Sequence, residues 1–260
     1  MKCNYLIISL LLLGVSCTRN VDLREVFEEK IVIEGGISKD SIARIQITKT
    51  VNATEPDEFP RVENATVVLM NSEGEEETFI EELPGFYHGN MLKGVEGETY
   101  ELSVKTSEED FMTRAKIPVL TVDLLDISFI DTTLNDFFSL YIDFQKNKAD
   151  SLYCLFRTFR NGSEISPPVF YKNEVAASQI LTLYLSEVST FISSEVFKVE
   201  IEQMEKWQYD YLSSIKEKNN AQTISGLLIG PPDNLQGNWD KGALGYFGAT
   251  TTSFIEVVVP

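Results

Sequence analysis

The sequence predicts a mainly β protein built from two β-rich domains in tandem. Apolar and polar residues alternate with a period of two along most of the chain, as in half-buried strands. Turn-forming residues separate these stretches, and one segment alone shows a helical period. A hydrophobic fraction of 43% with 24% charged residues is typical of a globular chain that buries its own core.

The first domain is predicted over residues 28–118 as an immunoglobulin-like or transthyretin-like β-sandwich. About seven short strands in about 90 residues are typical of such a sandwich. The apolar positions of the clearest strands are Ile31 and Ile33; Ala43, Ile45 and Ile47; Val67 and Leu69; and Tyr100, Leu102 and Val104. Pro118 follows the last strand, so we place the domain boundary there.

The second domain is predicted over residues 119–260, with longer strands and one helix near residues 202–218. In the helical segment, apolar residues recur at intervals of three and four, with Leu212 beside them: Met204, Trp207, Tyr211 and Ile215. We expect this stripe to pack in the core. A partner-binding face is the alternative, although exposed apolar stripes are rare on monomers.

A glycine-rich closing segment, Gly226 to Ala249, is the predicted place for a binding surface, together with the loop from Val51 to Arg61. Trp239, Tyr246 and Phe247 are the candidate binding residues, because aromatic rings stack on sugars or pack against a partner. Packing of these rings inside their own domain is the alternative, and the favoured one. Phe254 to Val259 are predicted to close the domain as a final strand.

The amino terminus has the three parts of a secretory signal peptide, predicted over residues 1–16. Lys2 is followed by an apolar stretch from Tyr5 to Leu13, then by small residues and Cys17. This stretch is shorter than the roughly 20 apolar residues that span a bilayer. The pattern resembles the lipobox of bacterial lipoproteins, which predicts an acylated Cys17 and a lipidated tether over residues 17–27. An ordinary signal peptide with a chance cysteine is the alternative.

Charge and cysteine content narrow the class of protein. A formal charge of −18 makes nucleic acid and anionic membrane surfaces poor partners. With Cys3 removed and Cys17 acylated, Cys154 is alone in the mature chain, so no disulfide within the chain is expected. Cys154 shares a strand face with Leu152 and Phe156, which predicts a packed thiol rather than a nucleophile.

The sequence predicts no catalytic, cofactor or metal site. A Ser-His-Asp triad would need the one histidine, His88, but the sequence contains no G-x-S-x-G motif to supply the serine. One histidine with one unpaired cysteine cannot form a typical zinc site. The 40 acidic residues offer many carboxylate pairs, but nothing singles out one of them. A noncatalytic binding protein is therefore favoured, with a carboxylate-dependent hydrolase or a purely structural envelope protein as alternatives.

Several segments together resemble a known family. They are Cys17, VDL at 21–23, IVIEGGIS at 31–38, GETYEL at 97–102 and GNWDKGALGYFGA at 237–249. In combination they are similar to a Bacteroidota outer-membrane lipoprotein family catalogued as domain of unknown function 4249. The resemblance runs through almost all of the mature chain.

The resemblance implies where the protein is located and which kind of protein it acts beside. Proteins of this family look like lipid-anchored outer-membrane proteins, on the periplasmic or cell-surface face, encoded near TonB-dependent transporters. This implies a role beside a nutrient transporter, with an unknown ligand and the membrane contacted through the anchor. Ser41, Thr132 and Ser151 each follow an aspartate, and these sites are similar to the O-glycosylation motif of Bacteroidota; we expect modification at one of them.

Overall fold

The structure, a computed structural model, describes residues 28–52, 58–131, 137–148, 150–175, 179–189, 192–224 and 235–259. In these ranges the chain is mainly β, as predicted, with sixteen strands and one helix. The predicted signal peptide, the tether and Cys17 lie outside the described residues. No helix in the described ranges is long and apolar enough to cross a bilayer.

The strands of the first half are short and consecutive. They are β1 Ile31–Ser38, β2 Ile42–Lys49, β3 Thr66–Met70, β4 Glu76–Thr78, β5 Ile80–Leu83, β6 Phe86–Lys93, β7 Thr99–Lys105 and β8 Asp110–Lys116. The second half comprises β9 Val122–Asp131, β10 Phe137–Lys146, β11 Leu152–Arg160, β12 Ser163–Glu164, β13 Val169–Asn173, β14 Ile180–Ser189, β15 Val196–Met204, helix α1 Lys206–Ile224 and β16 Leu244–Val258.

The strands form one large sheet and two small sheets. The nine-stranded sheet has the order β12-β11-β15-β16-β1-β2-β6-β5, with β13 also paired to β11. The sheet β4-β3-β7-β8 encloses a first core with β1 and β2, where Ile33 and Leu102 are fully buried. The sheet β14-β10-β9 encloses a second core with β11 and β15, where Ile142 and Phe156 pack. The result is two β-sandwiches that share one sheet.

The strand β16 joins the two sandwiches. Its first half, residues 244–250, pairs in parallel with β1, and its second half, residues 250–258, pairs antiparallel with β15. Phe247 belongs to the first core, and Ile255 packs on the second. Because side chains alternate along a strand, these odd-numbered positions point to one side of the large sheet. Both small sheets therefore cover that side, and the even-numbered positions face outward.

The closing segment packs against the first core, which corrects its predicted assignment to the second domain. Trp239, Ala243 and Phe247 are buried among first-core residues. The Trp239 indole Nε1 donates a hydrogen bond to the Ile33 carbonyl oxygen at 2.9 Å. The physical reason is the pairing with β1, a parallel contact between distant parts of the chain that local alternation does not reveal.

The helix begins later than predicted, at Lys206 rather than near residue 202. Residues up to Met204 continue the alternation of β15 and pair with β16, so sheet pairing prevails over the helical spacing. The buried face of α1 includes Tyr209, whose ring packs 5.6 Å from that of Tyr153, with Leu212 beside it. Trp207 and Tyr211 are only partly buried.

Two phenylalanines of β16 provide a matched test of its role in the core. Phe247 is fully buried, whereas Phe254 in the same strand is 60% exposed. We expect Phe247→Ala to lower the free energy of unfolding by about 3–5 kcal/mol through lost burial and a cavity. Phe254→Ala should change it by less than about 0.5 kcal/mol. Chemical denaturation measures both, and equal losses would contradict the assignment of Phe247 to the core.

Candidate functional site

A cleft opens on the outward side of the large sheet, beside α1. It consists of two adjoining cavities of about 370 Å³ and about 440 Å³, which share Glu202, Gln208 and Tyr246. We call it the outer-face cleft. Its polar half is lined by Gly36, Ser38, Ser41, Arg44, Gly248 and Thr250, among others. Its apolar half is lined by Leu155, Pro167, Pro168, Phe170, Leu212 and Ile215, with Arg157 and Lys216.

Two glycines form the floor of the polar half. Gly36 of β1 and Gly248 of β16 lie directly opposite each other in the sheet. A Cβ atom on Gly36 would approach the Gly248 carbonyl oxygen to 2.7 Å, and one on Gly248 would approach Gln208 Nε2 to 2.5 Å. A side chain at Gly36 would therefore collide with the neighbouring strand and one at Gly248 with Gln208, so the glycine at 248 permits the close approach of Gln208 to the sheet.

Gln208 attaches the helix to the sheet. Its Oε1 accepts a hydrogen bond from the backbone N–H of Ala249 at 3.0 Å, and both residues are buried. This N–H needs a side-chain acceptor because β15 ends at Met204, opposite Thr250, and leaves the edge of β16 open beyond it. With Oε1 engaged, the Gln208 Nε2 group lies over Gly248 and lines the cleft.

An ion pair lies where the two halves of the cleft meet. The Arg157 Nε atom is 3.6 Å from Glu202 Oε2, and Arg157 Nη1 is 3.3 Å from Glu164 Oε1. Burial raises the pKa of the Glu202 carboxyl above its ordinary value of 4.5, and the Arg157 guanidinium offsets only part of that rise. Glu202 is thus a partly desolvated carboxylate with one cationic partner.

Two tyrosine rings pack beside the cleft, and of the two Tyr246 lines it. The rings of Tyr211 and Tyr246 lie 5.1 Å apart. Burial raises the pKa of the Tyr246 hydroxyl, and it raises that of Tyr211 to about 12. Both hydroxyls therefore stay protonated at neutral pH and can donate hydrogen bonds.

Of the three predicted binding aromatics, Tyr246 alone lines the cleft. Trp239 and Phe247 are 5% and 0% exposed in the first core, so the prediction that they form a binding surface is wrong. They point inward because Phe247 is an odd-numbered position of β16 and Trp239 folds over Ile33. No sequence motif marks Arg157, Glu202 or Gln208; the alternation of β11 and β15 places the first two outward, but only the pairing brings them together.

The other predicted positions are scattered. Ser41 is exposed in the β1–β2 turn at the rim of the cleft, and Ser151 is exposed just before β11. Thr132 lies outside the described residues. So do residues 53–57 of the loop from Val51 to Arg61 and residues 226–234 of the closing segment.

Cys154 is packed, as predicted. Its side chain is fully buried, its thiol donates to the Tyr171 carbonyl oxygen at 3.7 Å, and burial raises the thiol pKa. His88 lies in β6 with Nδ1 2.8 Å from the Gly89 carbonyl oxygen. Within the described ranges, no group of three or more His, Cys, Asp or Glu side chains is placed to hold a metal ion.

The chemistry of the cleft suits noncovalent binding. Glu202 is the one carboxylate among the described residues that line it. Hydrogen-bond donors surround the polar half, and apolar side chains form the other half. A concave apolar surface with a few convergent polar groups is typical of ligand sites.

The two partly buried glutamates of the second half should affect stability with opposite signs. The raised pKa of Glu202 makes the folded state bind its proton more tightly, so Glu202 lowers stability as pH rises above 4.5. The hydrogen bonds from Arg160 hold the pKa of Glu195 below 4.5, so Glu195 adds stability above 4.5 that is lost as pH falls through the lowered value.

We therefore expect Glu202→Gln to gain stability relative to wild type as pH rises from 4.5 towards neutrality. The matched variant Glu195→Gln should lose stability relative to wild type over the rise from its lowered pKa to 4.5. Denaturant midpoints measured from pH 3 to 8 follow both differences. The same sign for the two variants would contradict the assigned environments.

Comparisons with known proteins give one family match and solved structures of low similarity. A DUF4785 family protein of Legionella pneumophila is 11% identical with a TM-score of 0.25, over 69% of this chain and 53% of its own. This chain thus spans about half of that protein. A two-domain fibronectin type III segment of chicken tenascin is 13% identical with a TM-score of 0.22, over 68% of this chain and 91% of its own.

Among curated proteins, none matches this sequence. One family model, described as domain of unknown function (DUF4249), matches residues 18–255, which is nearly the whole chain after Cys17. The chain therefore belongs to the DUF4249 family.

Proposed function

We propose that this protein is a noncatalytic, lipid-anchored outer-membrane protein that binds a ligand beside a TonB-dependent nutrient transporter. The observation that supports binding most directly is the outer-face cleft. Gly36 and Gly248 line its floor, and one wall is held in place by the hydrogen bond between the Ala249 N–H and Gln208 Oε1. A cleft that is already formed, with one wall fixed by a hydrogen bond, needs little rearrangement to accept a ligand, which favours affinity.

The anchor is assigned from the amino terminus. Two or three acyl chains on Cys17 would hold the protein firmly, since each buried methylene contributes about 0.8 kcal/mol. The tether predicted over residues 17–27 would reach at most about 35–40 Å when extended, which lets the folded body stand clear of the headgroups. Glu28 and Glu29 at its end are exposed acids, compatible with placement on the cell surface.

The transporter partnership follows from the family resemblance and the predicted anchor together. A tethered protein meets a membrane-embedded partner at high effective concentration, so even a weak contact can form a lasting complex. Loss of the tether should therefore abolish the association without altering the folded domains.

We predict that crosslinking in native outer membranes captures a TonB-dependent transporter with the wild-type protein and not with Cys17→Ala. Cys3→Ala is the matched control, because it removes a neighbouring cysteine from the signal peptide and keeps the acylation site. Pull-down followed by mass spectrometry, with radiolabelled palmitate to follow acylation, measures both steps. Abundant, acylated wild-type protein without any captured transporter would overturn the partnership.

A further inference from the structure

The polar half of the outer-face cleft presents an unused hydrogen-bond donor. Gln208 is 4% exposed, and its Oε1 is committed to the Ala249 N–H. This bond fixes the orientation of the side-chain amide, so the nitrogen, Nε2, is the atom that lies over the glycine floor. Nε2 makes no hydrogen bond to any described residue, although it lines both cavities. An amide donor that faces a cleft and has no partner among the described residues can bind an acceptor on a ligand.

A cation without an acidic partner forms the opposite wall. Arg44 of β2 lies directly opposite Gly36 in the sheet, so its guanidinium stands beside the glycine floor. In the part of the chain that the structure describes, Arg44 makes no ion pair. This stands out in a chain with a formal charge of −18. Ser41 adds a hydroxyl group at the same end, and the Ser38 hydroxyl there is hydrogen-bonded to that of Thr250 at 2.7 Å.

Glu202, the carboxylate of the cleft, does not occupy these donors. Glu202 pairs with Arg157 at 3.6 Å, a cation that Glu164 also contacts at 3.3 Å, and neither carboxylate pairs with Arg44 or with the Gln208 amide. The negative charge of Glu34 adds to the burial that raises the pKa of the Tyr211 and Tyr246 hydroxyls, but Glu34 does not line the polar half of the cleft. The polar half therefore offers donors and positive charge, which recognise an anionic group such as a carboxylate or sulfonate.

The apolar half continues directly from this anion-binding end. Leu155, Phe170, Leu212 and Ile215 line a cavity of about 440 Å³. The Lys216 Nζ atom at its rim donates to the Pro168 carbonyl oxygen at 3.1 Å and lies 4.9 Å from the centre of the Phe170 ring. A hydrocarbon or aromatic body placed here would be removed from water while its charged end reached the donors.

We infer that the outer-face cleft binds an organic anion with an apolar body, held at its charged end by Arg44 and the Gln208 amide. This inference rests on the proposed function and names the ligand class of that same cleft. Both halves of the cleft contribute to the choice of ligand. A purely polar anion would leave the apolar half exposed to water, and a neutral apolar molecule would offer no acceptor to the Gln208 amide.

A pair of fluorescent probes tests both requirements. Anilinonaphthalene sulfonate and phenylnaphthylamine share the same aromatic body, and only the first carries an anionic group. We expect the purified soluble protein, residues 18–260, to bind the sulfonate at one saturable site, on the order of tenfold more tightly than the neutral probe. Equal affinity for the two probes, or no saturable binding, would overturn the inference.

Three variants locate the site. Arg44→Gln should weaken sulfonate binding on the order of tenfold and leave the neutral probe unaffected. Gln208→Glu keeps an acceptor for the Ala249 N–H and replaces the donor with a charge, so it should abolish sulfonate binding. Lys116→Gln, an exposed cation of β8 on the far side of the large sheet, is the matched control and should change nothing.

Thermal unfolding of each variant separates a local effect from loss of the fold. If Gln208→Glu unfolds, the result for Arg44→Gln decides the test, because the Arg44 side chain is exposed and forms no ion pair with a described residue. Unchanged sulfonate affinity in Arg44→Gln would contradict the site. Transporter capture by full-length Arg44→Gln should persist, so failure of the ligand inference and failure of the partnership give different results.

Discussion

Strand β16 pairs with β1 along its first half and with β15 along its second, and the rest of the structure depends on this change of pairing partner. At Thr250 the strand pairs with Ser38 of β1 on one edge and with Met204 of β15 on the other. Before that residue it belongs to the first sandwich, and after it to the second. The contact is reinforced at the same point, where the Thr251 hydroxyl donates to Glu96 at 2.9 Å and Lys39 lies 3.2 Å from that carboxylate. One strand thus gives the two sandwiches a common sheet.

The cleft is a consequence of this geometry. Where β15 ends, the first half of β16 has an open edge, and its N–H groups at Phe247 and Ala249 need acceptors. The Asn238 Oδ1 accepts the first at 3.0 Å, and the Gln208 Oε1 accepts the second. The Gln208 side chain that covers this edge also packs against Gly248 and lines the cleft. The interaction that completes the sheet also positions the donor that we assign to a ligand.

The sequence predicts local structure well and long-range pairing poorly. Period-two alternation identifies the strands that carry Ile33, Leu102 and Ile142, and the strand face shared by Cys154 and Phe156. It does so because the inward positions of each strand are apolar and alternate with polar residues of the same segment. The start of the helix is misplaced because Met204 fits a helical stripe as well as the end of a strand. The burial of Trp239 and the convergence of Arg44, Glu202 and Gln208 depend on β1 meeting β16, a contact across more than 200 residues that no local period encodes.

Hydrogen exchange tests the shared strand most directly. The amide of Leu102 reports on the first core and that of Ile142 on the second, since each lies in a different small sheet. If β16 couples the two sandwiches, Phe247→Ala should lower the protection of both amides together, although Phe247 packs in the first core alone. A loss of protection confined to Leu102, with Ile142 as protected as in the wild type, would show that the two sandwiches unfold independently and would contradict the account.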